Sequence, residues 1–186
     1  MSHKPTAKDK PLADALAASD LIHDRATVER AISVMAKEIS RDYRGQRPTV
    51  LTIMNGGLWF AARLSLELEF DAEFDYLHAT RYRGDTRGSG LVWLREPNID
   101  LRDKDIILLD DILDEGPTLR EVRNWCEAKD ARSVKLSVMC WKRHGRAVDG
   151  MEPDYFGLEV PDRYVYGYGM DYYEQGRNLP AVYALR

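Results

Sequence analysis

The stretch from Ile106 to Val122, IILLDDILDEGPTLREV, constrains this chain more than any other. An apolar run bounded by charge reads as a strand buried on both faces of a parallel sheet, because such a strand has no solvent face on which polar residues could alternate. Ligands of open parallel sheets collect beyond the carboxyl ends of the strands. At that end the chain carries Asp110 and Asp111 side by side, Asp114 three residues on, and then Gly116-Pro117-Thr118 opening a helix. Three carboxylates in that position point to a ligand site.

The turn before the helix presents successive backbone N–H groups, the helix dipole and the Thr118 hydroxyl to one small anion, which suits a phosphate. Asp110 and Asp111 can accept hydrogen bonds from vicinal sugar hydroxyls, and carboxylates near a developing sugar cation stabilise it electrostatically. Phosphate and ribose hydroxyls together suggest a ribose 5-phosphate. A lone Asp-Asp pair after a strand is more often a solvated loop end or a helix cap. The whole ordered string is what sets this one apart.

The rest of the chain supplies a matching frame. Residues 1 to about 11, rich in Lys, Pro and Thr, read as a frayed arm, and the domain division expected is an arm over 1–20 and one domain over 21–186. Helical spacing of Val28, Ala31, Ile32, Met35 and Ile39 predicts an amphipathic helix from Ala26 to Tyr43. Thr49 to Met54 is a short buried strand, followed by Asn55-Gly56-Gly57 and a helix whose Ala61, Leu64 and Leu68 share a face. Strands are expected at Ala72–Thr80, Gly90–Arg95, Asp105–Leu109 and Ser133–Trp141, with a helix between the last two carrying Leu119, Val122 and Cys126 inward. Strands alternating with helices imply an α/β fold with a parallel sheet. Beyond Lys142 the pattern shifts to short strand-like pieces at Tyr155–Leu158 and Tyr164–Tyr168, more like a small subdomain than a continued wind.

Composition excludes some classes. With 27 basic against 31 acidic residues the net charge is −4, which gives no electrostatic case for a nucleic-acid surface. No apolar run approaches the ~20 residues needed to cross a bilayer, and the N-terminus lacks a long apolar core, so the cytoplasm is the expected location. Cys126 and Cys140 are in no metal-like pair and read as reduced core thiols. His3, His23, His78 and His144 have no ligand spacing and are assigned to surface or packing roles rather than zinc.

The string Asp110 to Thr118 resembles the phosphoribosyl-diphosphate-binding signature of the type I phosphoribosyltransferases. The tail PDRYVYGYGMDYYEQGRNLP and the segment Trp141-Lys142-Arg143 narrow the resemblance to the hypoxanthine-guanine phosphoribosyltransferases, over about Thr49 to Leu179. The resemblance implies a central parallel sheet flanked by helices, with a small hood, mainly from about 150–186, closing over the base.

It also implies roles. Asp114 matches the acid near the purine ring nitrogen that becomes glycosylated, a general base; Asp110 and Asp111 match the ribose-hydroxyl carboxylates, and Asp114, Glu115, Gly116, Pro117 and Thr118 the 5-phosphate cradle. Asn55, Gly56 and Gly57 match the pyrophosphate loop, where missing side chains let backbone amides approach the oxygens, and Arg177 a pyrophosphate contact. Lys142 matches the donor to the exocyclic oxygen of a 6-oxopurine, which suits a group with donors and no acceptor. Tyr164 matches the aromatic that stacks on the base, with Val165, Met170 and Asp171 beside it. Asp171, with Asp110 and Asp111, matches the carboxylates facing Mg2+, a hard cation suited to carboxylates, water and diphosphate oxygens. Arg81 and Tyr82 begin the segment matching a flexible loop that closes over the reacting centre and excludes water. The implied partners are a 6-oxopurine base, phosphoribosyl diphosphate and further copies of the chain as homodimer or homotetramer.

Some positions depart from the family pattern. Asn55 stands where Lys is frequent, Glu115 where Thr is common, Pro117 where Lys or Leu is frequent, and Arg81 where Ser is frequent. Glu115 adds negative charge beside a phosphate pocket and should weaken anion binding unless its side chain turns outward. A xanthine-preferring transferase is the nearest alternative. A phosphoribosyltransferase-like regulator that binds RNA should show a basic face, which the net charge opposes, and a receiver domain with an acidic pocket does not predict the Gly-Pro-Thr turn.

Overall fold

The structure is a computed structural model describing residues 10–81 and 91–186. Its main sheet has six strands: β2 (Thr49–Met54), β3 (Glu73–Arg81), β4 (Leu91–Arg95), β5 (Asp105–Leu113), β6 (Ser133–Trp141) and β7 (Tyr155–Glu159), in spatial order β4-β3-β2-β5-β6-β7. All neighbours run parallel except β3 and β4, which pair antiparallel at one edge. Helices α2 (Arg25–Asp42) and α3 (Leu58–Ser65) cover one face, burying Val28, Ile32, Met35, Ile39, Phe60 and Leu64 with Val50 and Leu109. Helix α4 (Pro117–Glu127) covers the other through Leu119, Val122 and Cys126. Each fully buried aliphatic side chain of this kind contributes roughly 1.5–3 kcal/mol. Helix α2 starts where Asp24 accepts a hydrogen bond from the Thr27 amide at 2.8 Å, satisfying one of the helix's unpaired donors.

The strand order reverses between β2 and β5, and there the two neighbours part. Their pairing stops at Thr52 opposite Leu109. Strand β2 runs on to Met54 beside β3, while β5 runs on to Leu113 beside β6. The gap between them is a crevice at the carboxyl ends of the strands, the place where a doubly wound sheet binds its ligand. The strand expected over Asp105–Leu109 is therefore longer, and Asp110 and Asp111 belong to it, because β6 continues to offer hydrogen bonds after β2 has turned away.

A second sheet of three antiparallel strands, in order β1-β9-β8, forms the hood from β1 (Ser19–His23), β8 (Val165–Tyr166) and β9 (Val182–Leu185). It joins the two ends of the chain, and the segment before residue 20 is not an unstructured arm throughout: α1 (Leu12–Ala17) and Ser19, the first residue of β1, lie within it. Leu12, Ala15 and Leu16 pack on Tyr166, Tyr172 and Tyr183, apolar cover that a short six-residue helix cannot find alone. Buried Tyr166 donates its hydroxyl to Ser19 Oγ at 2.9 Å, and Ser19 Oγ donates to the Ala15 carbonyl at 2.7 Å.

Two expectations about the C-terminal half are corrected. Tyr155–Glu159 is the edge strand of the main sheet, paired with β6 from Ser137 opposite Tyr155, and not part of the hood. The strand expected over Tyr164–Tyr168 shortens to Val165–Tyr166, because Gly167, Tyr168 and Gly169 all take positive φ and turn the backbone out of the ladder.

Candidate functional site

The crevice between β2 and β5, roofed by the hood, is a cavity of about 620 Å³, well within the ~300–1,000 Å³ of small-molecule sites. Asn55, Gly56, Asp110, Asp111, Asp114, Glu115, Gly116, Pro117, Thr118, Lys142, Tyr164, Val165, Met170, Asp171 and Arg177 all line it. Thus β2, β5, the α4 turn, the end of β6 and the hood converge on one space. Gly57 does not line it. A side chain on Gly57 would meet the Ile53 and Leu109 carbonyl oxygens at 2.8 Å, so this glycine lets the start of α3 pack where β2 and β5 separate. Arg81 is the last residue of β3, but its side chain and Tyr82 lie outside the described residues.

The turn before α4 takes its shape from Gly116, which caps the helix with a φ of 76° in the left-handed region. Pro117 occupies the first helical position, where a missing N–H costs no intrahelical hydrogen bond and φ is already helical. Pro117 itself has no N–H to offer an anion at this turn. The Glu115 side chain is 62% exposed, with its carboxylate 3.8 Å from Arg146, so its charge is directed to that arginine and to solvent.

At the floor of the cavity burial raises the pKa of both Asp110 and Asp111, and the adjacent negative charge of Asp111 raises that of Asp110 further, while Arg177 opposes both shifts. Arg177 donates to the Gly169 carbonyl at 2.8 Å and pairs with Asp171 at 2.8 Å. One guanidinium thus serves Asp171 and faces the two acids of β5. This is an all-oxygen donor set with surplus negative charge, which fits a hard divalent cation shared with substrate oxygens. Among the described residues Asp110, Asp111 and Asp171 do not form a preformed three-ligand cluster.

At the end of β6, Lys142 Nζ donates to Asp114 Oδ2 at 2.6 Å, and the Lys142 amide donates to the Leu113 carbonyl at 3.0 Å. Burial raises the pKa of Asp114, but hydrogen bonds from Lys142 and then His144 outweigh it and hold the carboxyl below its ordinary value. Tyr164 is half-exposed, and its hydroxyl donates to the Asp171 carbonyl at 3.0 Å. Tyr164 lines the cavity with Val165 and Met170, both buried. His144 was assigned a packing or surface role by its spacing; instead its Nε2 lies 2.7 Å from Asp114 Oδ1. Nothing local signals this contact. It follows from the β5–β6 register, which sets Leu113 opposite Trp141 and so brings the residues after each strand together. Ile53, Met54, Ala79, Ile112 and Leu119 complete the walls without having been anticipated.

Residues 18–174 match the phosphoribosyl transferase domain family. The chain is 32% identical over 165 residues to a hypoxanthine-guanine phosphoribosyltransferase of Streptococcus pneumoniae, covering 88% of this chain and 90% of that protein. A hypoxanthine phosphoribosyltransferase structure from Staphylococcus aureus superposes with a TM-score of 0.84 at 23% identity, covering 90% of this chain and 91% of that one. A hypoxanthine-guanine phosphoribosyltransferase structure from Bacillus anthracis gives a TM-score of 0.83 at 25% identity, covering 90% and 98%.

Proposed function

The chain belongs to the phosphoribosyl transferase family, and we propose that its cavity joins a 6-oxopurine, hypoxanthine or guanine, to phosphoribosyl diphosphate, giving the nucleoside 5-monophosphate and pyrophosphate. This is a purine-salvage reaction. The observation that carries it is the convergence on one cavity of an anion cradle, a carboxylate pair and a lysine–aspartate pair beside an exposed tyrosine face.

The cradle from Asp114 to Thr118 holds the 5-phosphate through amide N–H groups and the Thr118 hydroxyl, while Asp110 and Asp111 accept from the ribose hydroxyls. Lys142 donates to the exocyclic oxygen of the base, and Tyr164 stacks on its ring with Val165, Met170 and Asp171 at its edge. The bond from the anomeric carbon to the diphosphate oxygen breaks, its electron pair leaving with pyrophosphate. The ring nitrogen forms the new bond as its proton passes to Asp114. Carboxylates beneath the sugar stabilise the cationic transition state. Asn55, Gly56 and Arg177 face the departing pyrophosphate, and the segment that Arg81 and Tyr82 begin excludes water. Asp171, with Asp110 and Asp111, would hold Mg2+, which would supply charge neutralisation on the diphosphate.

The domain takes in α1 and β1 with the rest of the described chain, the hood is a functional lid for the base, and the enzyme works in the cytoplasm as a homodimer or homotetramer. Among the described residues no helix is long and apolar enough to cross a membrane. Purified protein with phosphoribosyl diphosphate, magnesium and each of hypoxanthine, guanine, xanthine and adenine, followed spectrophotometrically, tests the assignment. Turnover of hypoxanthine or guanine is expected. Preference for xanthine would move the specificity, and no turnover of any oxopurine would overturn the assignment.

A further inference from the structure

We propose that His144 is a positioning residue for the proton-accepting carboxylate: it holds Asp114 Oδ1 so that Oδ2 faces the base when Lys142 moves to the substrate. This rests on Asp114 being the proton acceptor of the reaction proposed above. The two oxygens of Asp114 have different partners, Lys142 Nζ at 2.6 Å on Oδ2 and His144 Nε2 at 2.7 Å on Oδ1. Only one of these partners has another task. A lysine that donates to the exocyclic oxygen of the base must turn away from Asp114, at least in part, and Oδ2 is then exposed on the cavity side. Oδ2, occupied by an ammonium in the free protein, is the oxygen that takes the ring proton.

His144 cannot follow Lys142. Its side chain is only 7% exposed, and its Nδ1 accepts the Arg146 backbone N–H at 3.2 Å. With Nδ1 accepting, the ring proton sits on Nε2 and donates to Asp114, so the tautomer is set by the backbone. Arg146 is in turn clamped by Asp162 through two bonds of 2.8 and 2.6 Å. The ring is thus fixed from both sides, and the carboxylate loses one rotational freedom before substrate arrives.

The titratable and charged groups around Asp114 are Lys142 and His144 from the end of β6 and the turn after it, Arg146 on that turn, Asp162 beyond β7, and Glu115 beside Asp114 itself. Asp114, His144 and Asp162 also lie close enough together to resemble metal ligands, but the two carboxylates already have cationic partners in Lys142 and Arg146. A metal ion there would displace these partners and occupy the proton acceptor. The cluster therefore fits a role in holding Asp114 better than a role in holding a metal.

A hydrogen bond to the ionised form lowers a carboxyl pKa, so removing the His144 donor should raise that of Asp114. The test compares the wild-type protein with His144→Ala and His144→Gln, whose amide nitrogen can reach Oδ1. Profiles of kcat/KM for hypoxanthine against pH are measured at saturating phosphoribosyl diphosphate and magnesium. In His144→Ala the acid limb should move up by about one pH unit and kcat should fall about 10-fold, with KM for phosphoribosyl diphosphate within about twofold. His144→Gln should restore most of both.

A purely structural role would lower the active fraction and leave the acid limb where it is, and that result would overturn the proposal. The carboxyl carbon of Asp114, labelled with 13C and assigned with Asp114→Asn, reports the same shift by NMR titration without turnover. An unmoved titration overturns the role of His144 even in active protein. A moved titration in a protein that turns over no oxopurine leaves the contact standing and overturns the proposed reaction instead.

Discussion

Gly56 has no side chain because Asp111 occupies the space: a Cβ built on Gly56 would fall within the Asp111 carboxylate, and the Gly56 carbonyl is itself closely covered by Gly169 of the hood. Three segments distant in the chain meet at this point, the loop after β2, the end of β5 and the turn after β8. The Asp111 carboxylate and the backbones of two glycines together close the floor of the cavity.

Gly56→Ala should therefore push Asp111 out of place. Overpacking of this kind costs about 1–3 kcal/mol, or roughly 2–4 °C of melting temperature per kcal/mol in a chain of this size. Since Asp111 also faces the substrate, KM for phosphoribosyl diphosphate should rise as well. Calorimetry and steady-state kinetics on the same preparation check both effects.

The Tyr166–Ser19–Ala15 relay ties the N-terminal segment to the hood. Tyr166→Phe removes one buried hydrogen bond and should cost about 1 kcal/mol. Release of α1 should follow as faster amide exchange over residues 12–23, with the central strands β5 and β6 unchanged. Uniform acceleration across the whole chain would mean that the two ends are not a separate cooperative unit.

Much of the centre of this fold was legible because its signals are local. The buried strand Thr49–Met54 matches expectation residue for residue, and Ser133–Trp141 does too. The ends are different. Strand β9 and helix α1 are too short to show a period of their own, and each is stabilised by a partner about 160 residues away in the chain, as with Ser19 opposite Leu185. Tyr155–Glu159 looked like hood because the intervening residues change composition, but its pairing is decided by the open edge of β6. In the site, Asp114 and Lys142 were readable from their motifs, whereas His144 carries no motif and is brought to Asp114 by strand register alone.

Asp105 should give the protein a pH-dependent increment of stability. Arg132 donates to its carboxylate, outweighing burial, with Ser133 adding a further bond, and its pKa is lowered. A carboxyl with a lower pKa folded than unfolded binds fewer protons in the folded state. Its contribution is whole above the unfolded value near 4 and is lost as pH falls through the folded value. Because Arg132 is largely exposed, the increment is about 0.5–1 kcal/mol. Urea unfolding of wild type and Asp105→Asn should differ by that amount at pH 7 and converge as pH falls below the lowered folded value.

Cys126 and Cys140 should resist thiol reagents in the folded protein. Both are buried, and burial pushes the Cys126 thiol up to about 12 and that of Cys140 upward too. Since the thiolate is the nucleophile, labelling at pH 8 should proceed only on global unfolding and speed up with denaturant. Labelling at the same rate with and without denaturant would contradict the packing of α4 and β6.

The most direct test of the central claim separates chemistry from substrate binding at one carboxylate. If Asp114 accepts the base proton, Asp114→Asn should lower kcat with hypoxanthine by about 10²–10⁴-fold. Calorimetric binding of phosphoribosyl diphosphate with magnesium should stay within about threefold, because the cradle amides and Thr118 are untouched. Equal losses in turnover and in diphosphate binding would contradict that role and make Asp114 part of the phosphate cradle alone.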